Sequence, residues 1–356
     1  MKINEFKTIL SSKKSDLALF CNLDSEKYNP NMMYFSGYNG LGSLIIPKNR
    51  KPFLMAPKME LERAKRSVIK KVYAIDKKRF FESINILIKK NGLKVKNMAI
   101  DYNNFDLSLF MALKKQFKKA KTKDISLDLL RLRQTKTYDE IKILKKSCRY
   151  ASSILRKTLD NFKDFKTESE VSAFLEYETK KLGLDTAFPP IVASGSNGSM
   201  PHYTPKNIRL KKGFCVIDFG VKYKGYCSDI TRTIHIGRIN NKEKGIYNFL
   251  LNIQNKTIAE IKINDNCGKI YEKCVKGLGK YSKYFIHGLG HGVGCQIHEL
   301  PNLTLNSKDK ISNNMVFTVE PGIYIKNRFG IRIEDTRLFK KHPIALTKVA
   351  KEFLSI

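Results

Sequence analysis

Along the first 125 residues, short apolar runs alternate with amphipathic stretches. LALFCNL (17–23), GSLIIP (42–47), PFLMAP (52–57), VYAI (72–75) and NMAIDY (97–102) have the length and residue types of strands. MELERAKRSVI, RFFESINILIKK and LSLFMALKKQF carry apolar residues at helical spacing. Strand–helix alternation of this kind predicts an α/β domain with a mixed sheet.

The pattern then lengthens. Thr137 and Glu140 fit a T-x-x-E capping box, and Ile141, Leu144, Cys148, Ala151 and Leu155 follow at spacings of three and four. That predicts one long helix with a single apolar face. A second box, Thr167 to Glu170, opens a helix carrying Val171, Phe174 and Leu175. From Ile191 onward strands and glycine turns dominate, interrupted by helical stretches near 242–262 and 267–279. At 356 residues the chain exceeds what one core usually holds. The change of pattern puts the boundary within 125–135, giving domains 1–128 and 129–356.

Composition narrows the class. No run of 18 apolar residues exists, so no membrane span is expected. The N-terminal segment is broken by Lys and Glu and does not read as a signal peptide. Seven scattered cysteines, an odd number without CxxC, point to reduced thiols and a cytoplasmic setting. The net charge of +34 would suit a polyanion partner. Only 14 of the 67 basic residues are Arg, however, and they form no block. No specific nucleic-acid partner is expected.

The candidate chemistry lies in five late segments: VIDFG, SDITRT, HGLGHGVG, VEPGIY and GIRIEDT. They carry Asp218, Asp229, His291, Glu320 and Glu334. VIDFGVKYKGYCSDITRTIHIG reads as a β-hairpin. A two-residue turn at Lys224–Gly225 sets Asp218 opposite Thr231, with Asp229 one diagonal away on the same face. The bland alternative leaves one Asp in solvent. HGLGHGVG has four glycines in eight residues, too many for a helix, and suggests a close backbone approach. Of six histidines, His287, His291 and His298 fall within twelve residues; one as a ligand is expected, the others as proton carriers or core residues. Glu320 closes an apolar strand, sharing a face with Val316 and Thr318. In GIRIEDT, Arg332 and Glu334 face one way, and Asp335 faces away from Glu334 as a structural group. Arg332 either pairs with Glu334 or lies beside the site and binds substrate.

Four close carboxylates repel one another unless cations balance them. Two divalent ions would do so. A ligand set of carboxylates and one imidazole suits Mn²⁺ first, with Co²⁺, Fe²⁺ or Zn²⁺ admitted. The expected chemistry is two-metal hydrolysis of a carbonyl compound. Glu320 would take the nucleophile's proton, and His298 or His202 would stabilise the oxyanion or serve the leaving group.

With these segments in this order, the chain resembles the pita-bread metallopeptidases, in their Xaa-Pro branch of aminopeptidases and dipeptidases. IVASGSNGSMPHYTP and LRLRQTKTYDEIKILKKSC are similar to the loop before the first metal strand and to the catalytic domain's entry helix. The resemblance implies a creatinase-like α/β N-terminal domain, an α+β pita-bread catalytic domain and a homodimer. It implies that Asp218 chelates one metal, Asp229 and Glu334 bridge, and His291 and Glu320 complete the set. It matches His298 and His202 to non-ligand histidines, and Arg332 and Tyr324 to the substrate pocket. The implied activity is removal of an N-terminal residue preceding proline, as an aminopeptidase, with strict Xaa-Pro dipeptidase as the alternative. FLMAPKMELERAKR lacks the TD-x-RY signature of the aminopeptidases and is closer to a P-x-x-E version seen in prolidases. A non-catalytic pita-bread scaffold binding nucleic acid or protein is the rival from another class; keeping all five ligand positions argues against it.

Overall fold

A computed structural model describes residues 2–24, 28–76 and 79–356. The chain divides into two compact units, Met1–Leu132 and Arg133–Ile356.

The first unit holds α1 (Ile3–Ser12), β1 (Leu17–Asn22), α2 (Pro30–Ser36), β2 (Gly42–Pro47), β3 (Phe53–Pro57), α3 (Leu61–Lys65), β4 (Lys71–Ile75), α4 (Phe80–Lys90), β5 (Asn97–Ile100), α5 (Leu107–Gln116) and β6 (Lys121–Asp124). Helix α6 (Ser126–Gln134) starts in the first unit, and its last two residues, Arg133 and Gln134, belong to the second. Its sheet runs β4-β3-β2-β1-β5-β6. β2 pairs antiparallel with β1 and β3, and the outer pairings β3–β4, β1–β5 and β5–β6 are parallel. The mixed sheet expected from the alternation is therefore present. β1 is buried at every position because both faces are covered. Leu17 and Leu19 pack with Ile84 and Ile88 of α4. Phe20, on the other face, meets Phe6 of α1 and Phe35 of α2. The β6 sequence, KTKD, has no apolar residue to betray a strand. It is a lysine-bearing edge.

The second unit begins with α7 (Tyr138–Asp160) and α8 (Glu168–Lys181), both opened by the expected capping boxes. There follow β7 (Asp185–Thr186), β8 (Ile191–Ser194), β9 (Gly213–Phe219), β10 (Val221–Tyr223), β11 (Tyr226–Cys227) and β12 (Ile230–Ile236). Then come α9 (Asn241–Glu260), α10 (Cys267–Leu278), β13 (Gly290–Gly292), β14 (Glu299–Leu303), β15 (Val316–Val319), β16 (Gly322–Ile325), β17 (Phe329–Arg332), β18 (Asp335–Phe339) and β19 (Pro343–Ala345). The sheets run β12-β9-β8, β11-β10-β7, β14-β13-β15-β18-β19 and β16-β17.

Alternation along β9 decides where the chemistry goes. Cys215, Ile217 and Phe219 pack with Ala151, Leu155, Val171 and Leu175 of α7 and α8. Residues 214, 216 and 218 point to the opposite face. A second core, formed by Leu250 of α9, Cys274 and Leu278 of α10, and Phe317, Val319, Ile331 and Ile333, lies beneath the other strands. Gln254 of α9 donates to the Val319 and Ile333 carbonyls, tying down the residues that precede Glu320 and Glu334. No helix among the described residues is long and apolar enough to cross a membrane, and all seven cysteines are free, buried thiols.

Candidate metal centre

The hairpin sets the first two carboxylates. Tyr223 pairs with Tyr226 across the turn, where Lys224 and Gly225 have φ of 48° and 80°. Positive φ at both turn residues matches the twist of the flanking strands. The same register places Asp218 opposite Thr231, as the sequence predicts. The Asp229 amide donates to Thr336 Oγ1, and Thr336 Oγ1 donates back to the Asp229 carbonyl, which anchors the residue to β18.

His291 lies on β13, an extended segment and no helix. A Cβ on Gly290 would stand 2.1 Å from the Thr318 carbonyl oxygen, and one on Gly292 2.0 Å from that of Leu300. These glycines let the neighbouring strands close around the imidazole. His291 Nδ1 lies 3.1 Å from the Gly292 carbonyl, which can only accept, so Nδ1 carries a proton. Nε2 faces Glu320 Oε1 at 3.3 Å and Asp229 Oδ2 at 3.6 Å. Thr318 Oγ1 accepts from the His291 amide and donates to Glu320 Oε1. Glu334 sits between β17 and β18; its amide donates to the Thr231 carbonyl, and Thr231 Oγ1 donates to Glu334 Oε2 at 2.6 Å.

One cavity of about 410 Å³ is lined by Asp218, Asp229, His291, Glu320 and Glu334 together with His202, His298 and Arg332. Ligand atoms of Asp229, His291 and Glu334 lie within 4.8 Å of one another. The His298 ring meets that of His291 at 4.2 Å, edge to face. His202 sits on a loop stitched by buried Glu168, whose Oε1 accepts from Ser194 N, Ser194 Oγ and Asn197 Nδ2. Tyr324, expected in the substrate pocket, does not line this cavity. It is buried, and its hydroxyl contacts Arg332 Nη1 and His287 Nε2.

Arg332 lines the cavity, and the pairing with Glu334, one of its two expectations, is not found. Its Nη2 donates to Asp218 Oδ2 at 2.7 Å, and Nε to Thr231 Oγ1 at 3.2 Å, so its carboxylate partner is Asp218 and not Glu334. Alternation along GIRIEDT put Arg332 and Glu334 on one face, but could not see that Thr231 of β12 would bond to both and that Asp218 of β9 would meet the guanidinium. Asp335 behaves as expected: it accepts from Arg232 Nη2 at 2.7 Å, Arg337 Nη2 at 3.2 Å and Thr347 Oγ1 at 3.1 Å. The hydroxyls of Thr231 and Thr318 were missed, although the signal existed. Each shares a strand face with an expected ligand.

Electrostatics separate the four carboxylates. Burial, then the charges of Glu334, Asp218 and Glu320, pushes Asp229 well above the usual carboxylate range. Burial, then Glu320 and Asp218, does the same to Glu334. Asp218 is raised by burial despite Arg332. For Glu320 burial is outweighed by the hydrogen bond and charge of His291, with His287 and Arg332, and its pKa falls to about 2. The chain's own cations therefore compensate only part of the cluster. Asp218 Oδ1, Asp229 Oδ1 and Glu334 Oε1 are buried without a hydrogen-bond donor among the described residues. Unsatisfied buried carboxylate oxygens, converging with an imidazole nitrogen, fit divalent cations.

The chain is similar to known proteins over nearly its whole length. Residues 142–341 match the model of metallopeptidase family M24, and residues 2–135 match the creatinase/prolidase N-terminal domain. An Xaa-Pro dipeptidase from Pyrococcus furiosus is 36% identical over 331 residues, covering 91% of this chain and 92% of the relative. A prolidase structure from Pyrococcus horikoshii OT3 is 31% identical, covers 99% of each chain and superposes with a TM-score of 0.88. An X-Pro aminopeptidase structure from Thermotoga maritima MSB8 is 28% identical, covers 96% of this chain and 98% of that one, and also gives 0.88. The buried, cation-seeking carboxylate cluster thus sits where a metallopeptidase domain is matched, and the chain belongs to metallopeptidase family M24.

Proposed function

We propose that this protein is an Xaa-Pro dipeptidase that hydrolyses the bond between an N-terminal residue and a C-terminal proline. The observation that carries the reading is the convergence of Asp218, Asp229, His291, Glu320 and Glu334 on one cavity, in a chain alike over nine-tenths of its length to an Xaa-Pro dipeptidase. The aminopeptidase expected from the resemblance takes second place, because two relatives named Xaa-Pro dipeptidase are 35–36% identical and the prolidase structure 31%, against 28% for the X-Pro aminopeptidase structure.

In this reading the five residues hold two divalent ions, Mn²⁺ first among the candidates. When bound, such ions neutralise the carboxylates, acidify water and polarise the scissile carbonyl. The protein's own groups do the rest. Thr318 and Thr231 fix the orientation of Glu320 and Glu334 through their hydroxyls. Arg332 holds Asp218 in place, with Tyr324 and His287 behind it. Glu320, which lines the cavity beside His291, is the carboxylate placed to accept the proton of the attacking water. Burial, then His291, lowers His298 to about 4, so its imidazole is neutral near pH 7. A neutral imidazole keeps one N–H, with which it can donate a hydrogen bond to a developing oxyanion. An X-Pro amide has no N–H, so recognition of the proline ring falls to the apolar wall of Phe188, Ile191 and Ile297. A homodimer and a cytoplasmic setting belong to the same reading.

The test is turnover of Ala-Pro against a longer Ala-Pro-peptide, by metal-stripped protein reloaded with Mn²⁺. Cleavage of the dipeptide alone is expected. Comparable cleavage of the longer peptide would make the protein an X-Pro aminopeptidase, and no cleavage of either with two ions bound would sink both readings.

A further inference from the structure

The backbone from His291 to Glu299 carries the metal-facing imidazole at one end and His298 at the other. Its first part is held by strand-like bonds, Val293 N to the Val316 carbonyl and Cys227 N to the Gly294 carbonyl. Beyond Gly294 the chain turns, and Ile297 and His298 enter the cavity. What fixes that turn is Glu299, the residue next to His298. Glu299 Oε1 accepts from the Gln296 amide at 3.2 Å and lies 3.1 Å from Arg133 Nε. Glu299 Oε2 lies 3.0 Å from Lys136 Nζ. Arg133 Nη2 also donates to Gln296 Oε1 at 2.5 Å, and Lys136 Nζ to the Arg133 carbonyl at 2.9 Å. The three charged side chains are 1–2% exposed.

A buried ionic cluster is a costly way to pack a turn, and well-fitted apolar residues would usually serve as well. What ions add is direction. Here two cations grip one carboxylate, and the carboxylate and one cation each grip Gln296, so the path from 296 to 299 is fixed at both ends. Gly294 belongs to the same device, because a Cβ there would stand 2.2 Å from Glu299 Oε2. We propose that Arg133 and Lys136 are positioning residues, which hold His298 at the metal cavity by clamping Glu299 and Gln296. The consequence for turnover rests on the hydrolytic reading above; the clamp itself does not. Groups acting in a transition state must be held to within about 0.5 Å, and a misplacement of about 1 Å can cost on the order of 100-fold in rate.

The test uses the full-length, Mn²⁺-loaded protein and Lys136→Met. Amide hydrogen exchange over residues 293–299 should accelerate at least about tenfold while exchange over β9 and β12 is unchanged. On Ala-Pro, kcat should fall on the order of 10- to 100-fold, with KM and the bound-ion stoichiometry unchanged. In a His298→Ala background the same substitution should cost nothing further, since the group it positions is gone. Lys136→Arg should restore most of kcat. Unchanged exchange over 293–299 in a folded Lys136→Met protein would overturn the clamp. A loss of kcat that multiplies with that of His298→Ala would overturn its action through His298. If Lys136→Met does not fold, Gln296→Ala removes the Arg133 bond while leaving both ion pairs, and is judged by the same comparisons. If the wild-type protein cleaves no Xaa-Pro substrate, the activity reading has failed, and hydrogen exchange alone decides the clamp.

Discussion

Glu334 and Asp335 are adjacent, both buried, and opposite in circumstance. Asp335 points away from the cavity into a nest of donors, with Arg232, Arg337 and Thr347 bonded to its two oxygens and Lys351 nearby. Glu334 points into the cavity, where Thr231 donates to one oxygen and no described group donates to the other. Glu299, between Arg133 and Lys136, repeats the first pattern, and Asp229 repeats the second. The difference teaches which buried acids serve the fold and which await a ligand. A carboxylate whose lone pairs are filled by the chain's own donors stabilises the unit that contains it. One left short of donors in a cluster of its own kind is a liability until a cation arrives.

The comparison breaks most visibly at Glu334→Gln. Hydrolysis should fall by about 10³-fold or more, some 4 kcal/mol of transition-state free energy, with lowered metal occupancy and an unchanged circular dichroism spectrum. Full activity in that variant would remove Glu334 from the ligand set. Asp335→Ala should do the reverse. Metal binding by the folded protein should persist, while stability to urea drops by roughly 3–5 kcal/mol because Arg232 and Arg337 lose their buried anion. Loss of metal without loss of stability would erase the distinction between the two neighbours.

Two further measurements sharpen it. Chelation of the wild-type protein should lower stability by about 2.7 kcal/mol for each ion removed, relative to protein with free ion at one hundred times its Kd, and re-addition should restore it. The effect should shrink in Glu334→Gln; an equal effect in both would place the ions elsewhere. His298→Ala should reduce kcat by about 100-fold with metal content unchanged. Lost metal would instead make His298 a ligand.

The smallest effect is in the pH dependence of the metal-free protein. Asp229 and Glu334 have raised folded-state pKa values, from burial first and then neighbouring carboxylates. The stability they confer is full below the unfolded carboxylate pKa and is lost as pH rises through the folded values. Glu299 has the opposite sign: Lys136 and Arg133 overcome burial and lower it, so its contribution is present above the unfolded value and lost as pH falls through the folded one. With chelator present, Glu334→Gln should therefore become more stable than wild type as pH is raised from about 5 to 8. Urea titrations in which wild type stays the more stable throughout would show that the cluster is not strained by its own charge.

Much of this was legible beforehand. The five strands read in the first unit are all in its sheet, and both capping boxes open their helices. The Asp218–Thr231 register followed from counting residues across one two-residue turn, because strand alternation and turn length are local. Two short elements were not legible: β6 is KTKD on an edge, with no apolar residue, and α2, PNMMYFS, has only seven residues, too few to show a helical period. Among functional groups, Thr231 and Thr318 could have been found from their strand faces. Tyr324 could not be assigned to the wall or to the layer behind it, since that depends on where Arg332 and His287 come to rest.

By itself, then, the sequence determined the elements, the register of the hairpin and the identity of the acids and imidazoles that face one side of their strands. These depend on spacing, and spacing is written in the chain. Only the tertiary structure decided the partners. Arg332 meets Asp218, 114 residues away, and Lys136 meets Glu299 across 163 residues. Periodicity carries no information about which face a distant strand will present. Whether a buried carboxylate is satisfied or left for a metal is a property of that meeting.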